Sequence, residues 1–210
     1  DGPLAPWSVR QLYYACDESR SRLYDQGLPA FVLDFADPRQ GHALVLLPPP
    51  EAAAALARAA ADDRGALALL EPRYNAASYP FDLRDQNCNQ WVAELLAAAW
   101  GPGVADRASA QRWLQTQGYQ PTVIDTGAWR GLELFIPWVD GRGQPAETYQ
   151  RGQWQVSLPA TLEALVLRLW PETRRVELCH DGRRVVVRRD GAPMGERCEP
   201  ASGDRVVALD

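Results

Sequence analysis

Apolar positions along this chain come in short runs broken by proline, glycine and polar residues, and their period changes from run to run. "PWSVRQLYYAC" (6–16) alternates in part and carries Val, Leu and Tyr, which predicts a strand. "LPAFVLDFA" (28–36) suits a short helix or a strand, and periodicity does not separate them. "HALVLLP" (42–48) is a compact apolar run with the length of a buried strand. Prolines then introduce "EAAAALARAAADD" (51–63), a strong helix former with Pro50 and Glu51 in its first turn. "EPRYNAASYPFDLRD" (71–85) is aromatic and loop-like. The helix that follows "DQN" stops near Gly101-Pro102. "DRASAQRWLQTQGY" (106–119) predicts another helix, capped by Asp106 and closed by Gly118. "GLELFIPWV" (131–139) reads as a strand, "DGRGQPAETYQRGQ" (140–153) as a polar loop and "WQVSL" (154–158) as a strand. "PATLEALVLRLW" (159–170) is a helix opened by proline. The end is β-rich: "RRVELCH" (174–180), an Asp181-Gly182 turn, "RRVVVRR" (183–189) and a last short strand in "DRVVAL" (204–209).

Helices crowd the first two thirds and strands the last third, an α+β order rather than a regular βαβ alternation. At 210 residues the chain suffices for one domain with a proper core and a small appended part. Its net charge of −5 carries no lysine and no basic block, which argues against nucleic acid as the main partner. No stretch approaches the length of an apolar membrane span. The opening "DGPLAPWSV" reads as a turn leading into a strand, so the sequence is expected to be a fragment or a processed product.

The chemistry gathers at "DQNCNQWVAELL" (85–96). Asn87 and Gln90 stand in capping-box relation, which makes Asn87 the N-cap and Cys88 the first helical residue. A thiolate there lies near unpaired backbone amides and the positive end of the helix dipole. The same amides suit an oxyanion formed during attack on a carbonyl. Helical spacing puts Cys88, Val92, Leu95 and Ala99 on one stripe, flanked by Leu96, that is expected to face the core. Cys88 is therefore either a small buried hydrophobe, the usual fate of a free cysteine, or a nucleophile. The polar crowding of Asp85, Gln86, Asn87 and Asn89 lifts the second above background without deciding between them.

Neither histidine is an obvious partner. His42 opens an apolar strand and reads as structural; His180 lies beside a hairpin turn and reads as exposed. The four cysteines and two histidines show no zinc-ligand spacing, so no metal is expected. No Gly-rich phosphate loop and no Gly-x-Ser-x-Gly elbow occurs, and no cofactor is expected.

"PWSVRQLYYACDE", "YDQGLPAF", "QNCNQWVAELLAAAWG", "AQRWLQTQGYQPT", "VSLPATLEA" and "RVELCHDGRRVVVRR" resemble a family of bacterial secreted proteins, domain of unknown function 2145. The start of a helix at Asn-Cys also resembles the circularly permuted papain-like hydrolases, relatives of the NlpC/P60 cell-wall peptidases and the lecithin:retinol acyltransferase group. That resemblance implies an antiparallel sheet packed against the helix that begins at Cys88. It implies a histidine base on a strand ahead of Asp1, and an orienting polar residue on the next strand. Gln11 occupies that orienting position, ahead of Ser8 and Tyr13. Residues 1–170 are then the papain-like core without its N-terminal part, and 171–210 a β-rich extension packed on it.

Two functions follow. In the first, Cys88 attacks an amide, ester or thioester carbonyl, helix-start amides with Gln86 or Asn87 stabilise the oxyanion, Asn89 lines the site, and cell-wall peptide is among the candidate substrates. In the second, the frame is a secreted peptide- or glycan-binding module whose aromatic residues line a groove, with Trp91, Trp100, Trp113, Trp129 and Trp138 as candidates. Both place the protein in the periplasm or outside the cell. Cys179 and Cys198 flank the terminal hairpin and are expected to form a disulfide, leaving Cys88 free and Cys16 without a partner.

Overall fold

The computed structural model describes residues 7–28, 31, 41–127, 136–195 and 197–209. Most of the segment over 28–36 and most of the strand expected at 131–139 lie outside these residues, as does Trp129. Ile136 to Val139 forms a turn rather than a strand, with the Val139 N–H donating to the Ile136 carbonyl at 3.0 Å.

The chain is mixed α+β, and its contacts divide it into two compact units. The first contains the described residues within Asp1–Val9, Gln26–Pro50 and Val166–Asp210. Its core element is an antiparallel sheet of four strands in the order β3 (Gly41–Leu47), β6 (Arg174–His180), β7 (Arg184–Arg189) and β8 (Arg205–Ala208). The C-terminal strands therefore do not form a sheet alone, because β6 pairs with β3 from far earlier in the chain, His42 opposite Cys179 and Leu44 opposite Glu177. Cys179 and Cys198 are joined by a disulfide, their Cα atoms 5.4 Å apart, as the hairpin geometry predicts. With Val186 and Met194 they make a small core that the β-rich end would otherwise lack. Beside it Glu177 is buried. It accepts from His42 Nε2 at 2.9 Å, from Arg175 Nη1 at 3.0 Å and from the Met194 N–H at 3.0 Å. His42 is thus tied to a buried carboxylate, in keeping with a structural histidine.

The second unit contains Arg10–Asp25 and the described residues within Glu51–Leu165. Most of hairpin β1 (Ser8–Ala15) and β2 (Arg20–Gly27) belongs to it. So do helices α1 (Pro50–Ala61), α2 (Asp63–Ala68), α3 (Cys88–Trp100), α4 (Arg107–Thr116) and α5 (Ala146–Gln150), and the pair β4 (Thr122–Asp125) and β5 (Gln153–Val156). Helix α6 (Pro159–Leu169) runs from this unit into the other. The polar-loop reading of 140–153 misses α5, and the single helix expected at 51–63 ends at Ala61. Asp62 restarts the chain as the N-cap of α2, its carboxylate accepting from the Arg64 N–H. Helix α4 ends as expected: Gly118, at φ +65°, donates to Gln115, and Tyr119 donates back to Leu114. This is a Schellman closure that a residue with a Cβ would strain.

Helix α3 departs from its predicted face. Its buried residues are Gln90, Trp91, Ala93, Glu94, Leu95, Leu96 and Ala97, while Cys88, Val92 and Ala99 are only half-buried. The apolar-stripe rule assumes that polar residues turn to water. Here Gln90 and Glu94 turn inward, because Arg107, Gln111 and Ser78 supply partners for them. The helix rotates accordingly, and Cys88 moves to the edge of the buried face.

Candidate active site

Cys88 is the first residue of a 13-residue helix. Asn87 is its N-cap, in extended backbone, and its Oδ1 accepts from the Gln90 N–H at 2.7 Å. The N–H groups of Cys88 and Asn89 belong to the same first turn, where no intrahelical acceptor exists. Among the described residues neither N–H has an acceptor, and the positive helix end lies at the same residue.

The residue facing that sulfur is Tyr74. Its hydroxyl lies close enough to Cys88 for the two groups to interact electrostatically. Backbone bonds fix this approach: the Gln86 N–H donates to the Arg73 carbonyl at 3.1 Å, and the Asn75 N–H donates to the Gln86 carbonyl at 3.0 Å. Tyr74 is clamped as a single bridge beside the residue two before the cysteine. Burial pushes the Tyr74 phenol well above its ordinary range, and negative charge on Cys88 pushes it further the same way. The phenol stays protonated across physiological pH and acts as a donor. Tyr14 of β1 stacks on Tyr74, ring centroids 5.5 Å apart, and Trp138 lies 5.3 Å from Tyr14. The three rings form an aromatic wall that begins at the thiol.

The polar residues around Cys88 have different fates. Gln86 is fully buried, and both its N–H groups are engaged, donating to the Leu69 carbonyl at 2.9 Å and to Glu94 Oε2 at 2.6 Å. Its Oε1 accepts from the Glu71 N–H. Asn87 spends its Nδ2 on the carbonyls of Ala76 and Ser157. Neither amide has an N–H left for an oxyanion; they hold the loop and cap the helix. Asn89 is half-buried on the first turn. Asp85 is buried, with Oδ2 accepting from Asn75 and Oδ1 without a partner among the described residues.

Beneath the site lies a buried charge pair for which Glu94, the one charged residue in the apolar run after Trp91, was the sequence signal. Glu94 and Arg107 meet at 2.9 Å, and Gln86, Gln90 and Gln111 also donate to the Glu94 carboxylate. Arg107 further donates to the carbonyls of Leu83, Asp82 and Asp85. It fastens to the start of α3 the loop that leads into Cys88. The role of Tyr74 had a fainter signal, an aromatic-rich loop just ahead of the cysteine.

Gln11 sits in β1 with its Nε2 buried and unpartnered among the described residues. Strand β1 pairs only with β2 among those residues. His42 and His180 belong to the first unit, so the unit that holds Cys88 contains neither of the two histidines in the sequence. Among the described residues no group of three or more His, Cys, Asp or Glu is placed to hold a metal ion, and no helix is long and apolar enough to cross a membrane. Of the aromatic candidates, Trp91 is core, Trp100 is half-buried and donates to the Ala52 carbonyl, and Trp138 is exposed.

Comparison with curated proteins and with solved structures finds no match for either. A family of bacterial proteins does match, over residues 1–166. That span covers the strand of Gln11, the Tyr74 loop and the Cys88 helix, and it stops inside α6, so "RVELCHDGRRVVVRR" lies beyond it. On this match the chain belongs to the family described as an uncharacterized protein conserved in bacteria, domain of unknown function 2145.

Proposed function

We propose that this protein is an exported cysteine hydrolase or acyltransferase on a permuted papain-like frame, with Cys88 as the nucleophile. The observation that carries the reading is the setting of Cys88: half-buried, first in a capped helix, and beside a tyrosine that stays protonated. A core cysteine has no need of these features.

In this mechanism the Cys88 thiolate adds to the carbonyl carbon of an amide or ester. The carbonyl oxygen becomes the oxyanion and takes hydrogen bonds from the backbone N–H groups of Cys88 and Asn89 and from the Tyr74 hydroxyl. Collapse breaks the bond to the leaving amine or alcohol, which takes up a proton, and leaves an acyl-thioester. Water completes hydrolysis, or a second nucleophile completes transfer. The proton acceptor is assigned to a histidine on a strand preceding Asp1 in a longer form of the protein. Gln11 Nε2 is buried and without a partner among the described residues, on a strand that pairs only with β2 among them, and this supports the assignment, since such a donor is suited to orient an imidazole. The Cys179–Cys198 disulfide supports export, because such bonds persist in oxidising compartments. Cell-wall peptide is the leading substrate class on compartment alone.

A non-catalytic binding module is favoured by a different observation. Tyr13 and Tyr24 form an exposed edge-to-face pair, centroids 5.7 Å apart, on hairpin β1–β2. One experiment separates the two readings. The longer gene product and its Cys88→Ala variant are assayed on a library of amide, ester and thioester substrates, and thiol labelling by iodoacetamide is mapped by mass spectrometry. The enzyme reading expects Cys88-dependent turnover and faster labelling of Cys88 than of the more exposed Cys16. Turnover that survives Cys88→Ala, or labelling confined to Cys16, would overturn it.

A further inference from the structure

A cleft of about 730 Å³ opens in the second unit, on the far half of α3 from Cys88. The α3 residues that line it, Leu95, Ala98 and Ala99, lie roughly 10–17 Å along the helix from the cysteine. Ala55 and Ala59 of α1 and Val104 complete an apolar floor. The sequence explains why the space is empty. Trp91 Nε1 donates to the Ala66 carbonyl at 3.3 Å and Trp100 Nε1 to the Ala52 carbonyl at 3.1 Å. These two tryptophans hold α3 in place against α2 and α1. The alanines between them are too short to close the gap, whereas interiors normally pack with few voids.

Arg58 and Arg64 stand on the cleft wall. Arg10, Arg84, Arg107 and Arg188 are each paired with an acid, but no described residue pairs with the guanidinium of Arg58 or Arg64. Asp62 shares the wall and spends one carboxylate oxygen on the Arg64 N–H as the cap of α2. The cleft thus joins an apolar floor to a wall that carries one more positive than negative charge.

We propose that this cleft binds a free long-chain carboxylate, its alkyl chain along the alanine floor and its head group against Arg58 and Arg64. The volume lies in the roughly 300–1,000 Å³ range of small-ligand sites. Alanine, leucine and valine offer no side-chain donors or acceptors for a sugar or nucleotide. A neutral lipid would leave the net positive charge of the wall unmatched. The proposal is independent of Cys88.

The test is a calorimetric titration of the 210-residue chain with palmitate below its micelle concentration, repeated with hexadecanol. Two variants accompany it: Arg58→Glu/Arg64→Glu, which alters only exposed side chains, and Ala98→Trp, which fills the cleft. Circular dichroism checks that each has folded. The expected result is one saturable palmitate site per chain, weakened at least about tenfold by the double charge reversal, and hexadecanol weaker by a similar factor. If Ala98→Trp folds, it abolishes the site. Absence of saturable binding, equal affinity for hexadecanol, or palmitate affinity unchanged by the charge reversal would overturn the proposal. So would an acidic amphipathic peptide that binds the cleft and is not displaced by palmitate.

Discussion

The Glu94 carboxylate, wholly shielded from solvent, accepts from Arg107 Nε at 2.9 Å, linking the second turn of α3 to the first residue of α4. Cutting one partner leaves an uncompensated buried charge, which costs more than the pair contributes. Glu94→Ala is expected to destabilise by about 3–5 kcal/mol in urea unfolding, and Glu94→Ala/Arg107→Leu by clearly less than the single variant. A double variant that is less stable than the single would show the pair to be worth more than its burial penalty.

Tyr74→Phe removes one hydroxyl and keeps the ring against Tyr14. If the hydroxyl donates to the oxyanion, kcat falls about 10²-fold or more while KM and folding stay near wild type. An unchanged kcat in the longer, active protein would confine Tyr74 to a packing role.

The Cys179–Cys198 bridge closes a loop of 19 positions beside a four-residue core. Reduction, or Cys179→Ala/Cys198→Ala, is expected to cost about 3 kcal/mol. Non-reducing peptide mapping of periplasmic material should yield the 179–198 link with Cys16 and Cys88 free. A Cys16–Cys88 link would contradict both the bridge pattern and the proposed nucleophile.

Acid should weaken the first unit. Burial alone would raise the Glu177 pKa, but the Met194 N–H, Arg175 and His42 outweigh it and hold the carboxyl below its ordinary value. Arg188, donating from Nη2 at 2.7 Å, holds Asp204 low as well. A carboxyl depressed in the folded state contributes stability that is fully present above its unfolded value, about 4 for these residues, and is lost as pH falls through the folded value. Stability measured by denaturant is thus expected to decline below about pH 4. Asp204→Asn should flatten part of that decline; an identical acid profile in the variant would remove Asp204 from the account.

Sequence alone determined the elements whose signals are local. The capped start of α3 at Cys88, the Asp106 and Gly118 ends of α4, and the Asp181-Gly182 hairpin each rest on a few neighbouring residues whose backbone donors and acceptors must be met on the spot. The disulfide was legible for the same reason, because the hairpin that brings Cys179 and Cys198 together is itself local. Tertiary structure decided what depends on partners distant in the chain. Which way α3 faces was set by Arg107 and Gln111, which make burial of Glu94 tolerable and turn Cys88 to the edge of the buried face. The tyrosine at the thiol was set by a bridge between residues 74 and 86, and the sheet of the first unit by pairing β3 with β6, some 130 positions apart. No periodicity announces these arrangements, since burying a polar group is favourable only once its partner has arrived from elsewhere in the chain.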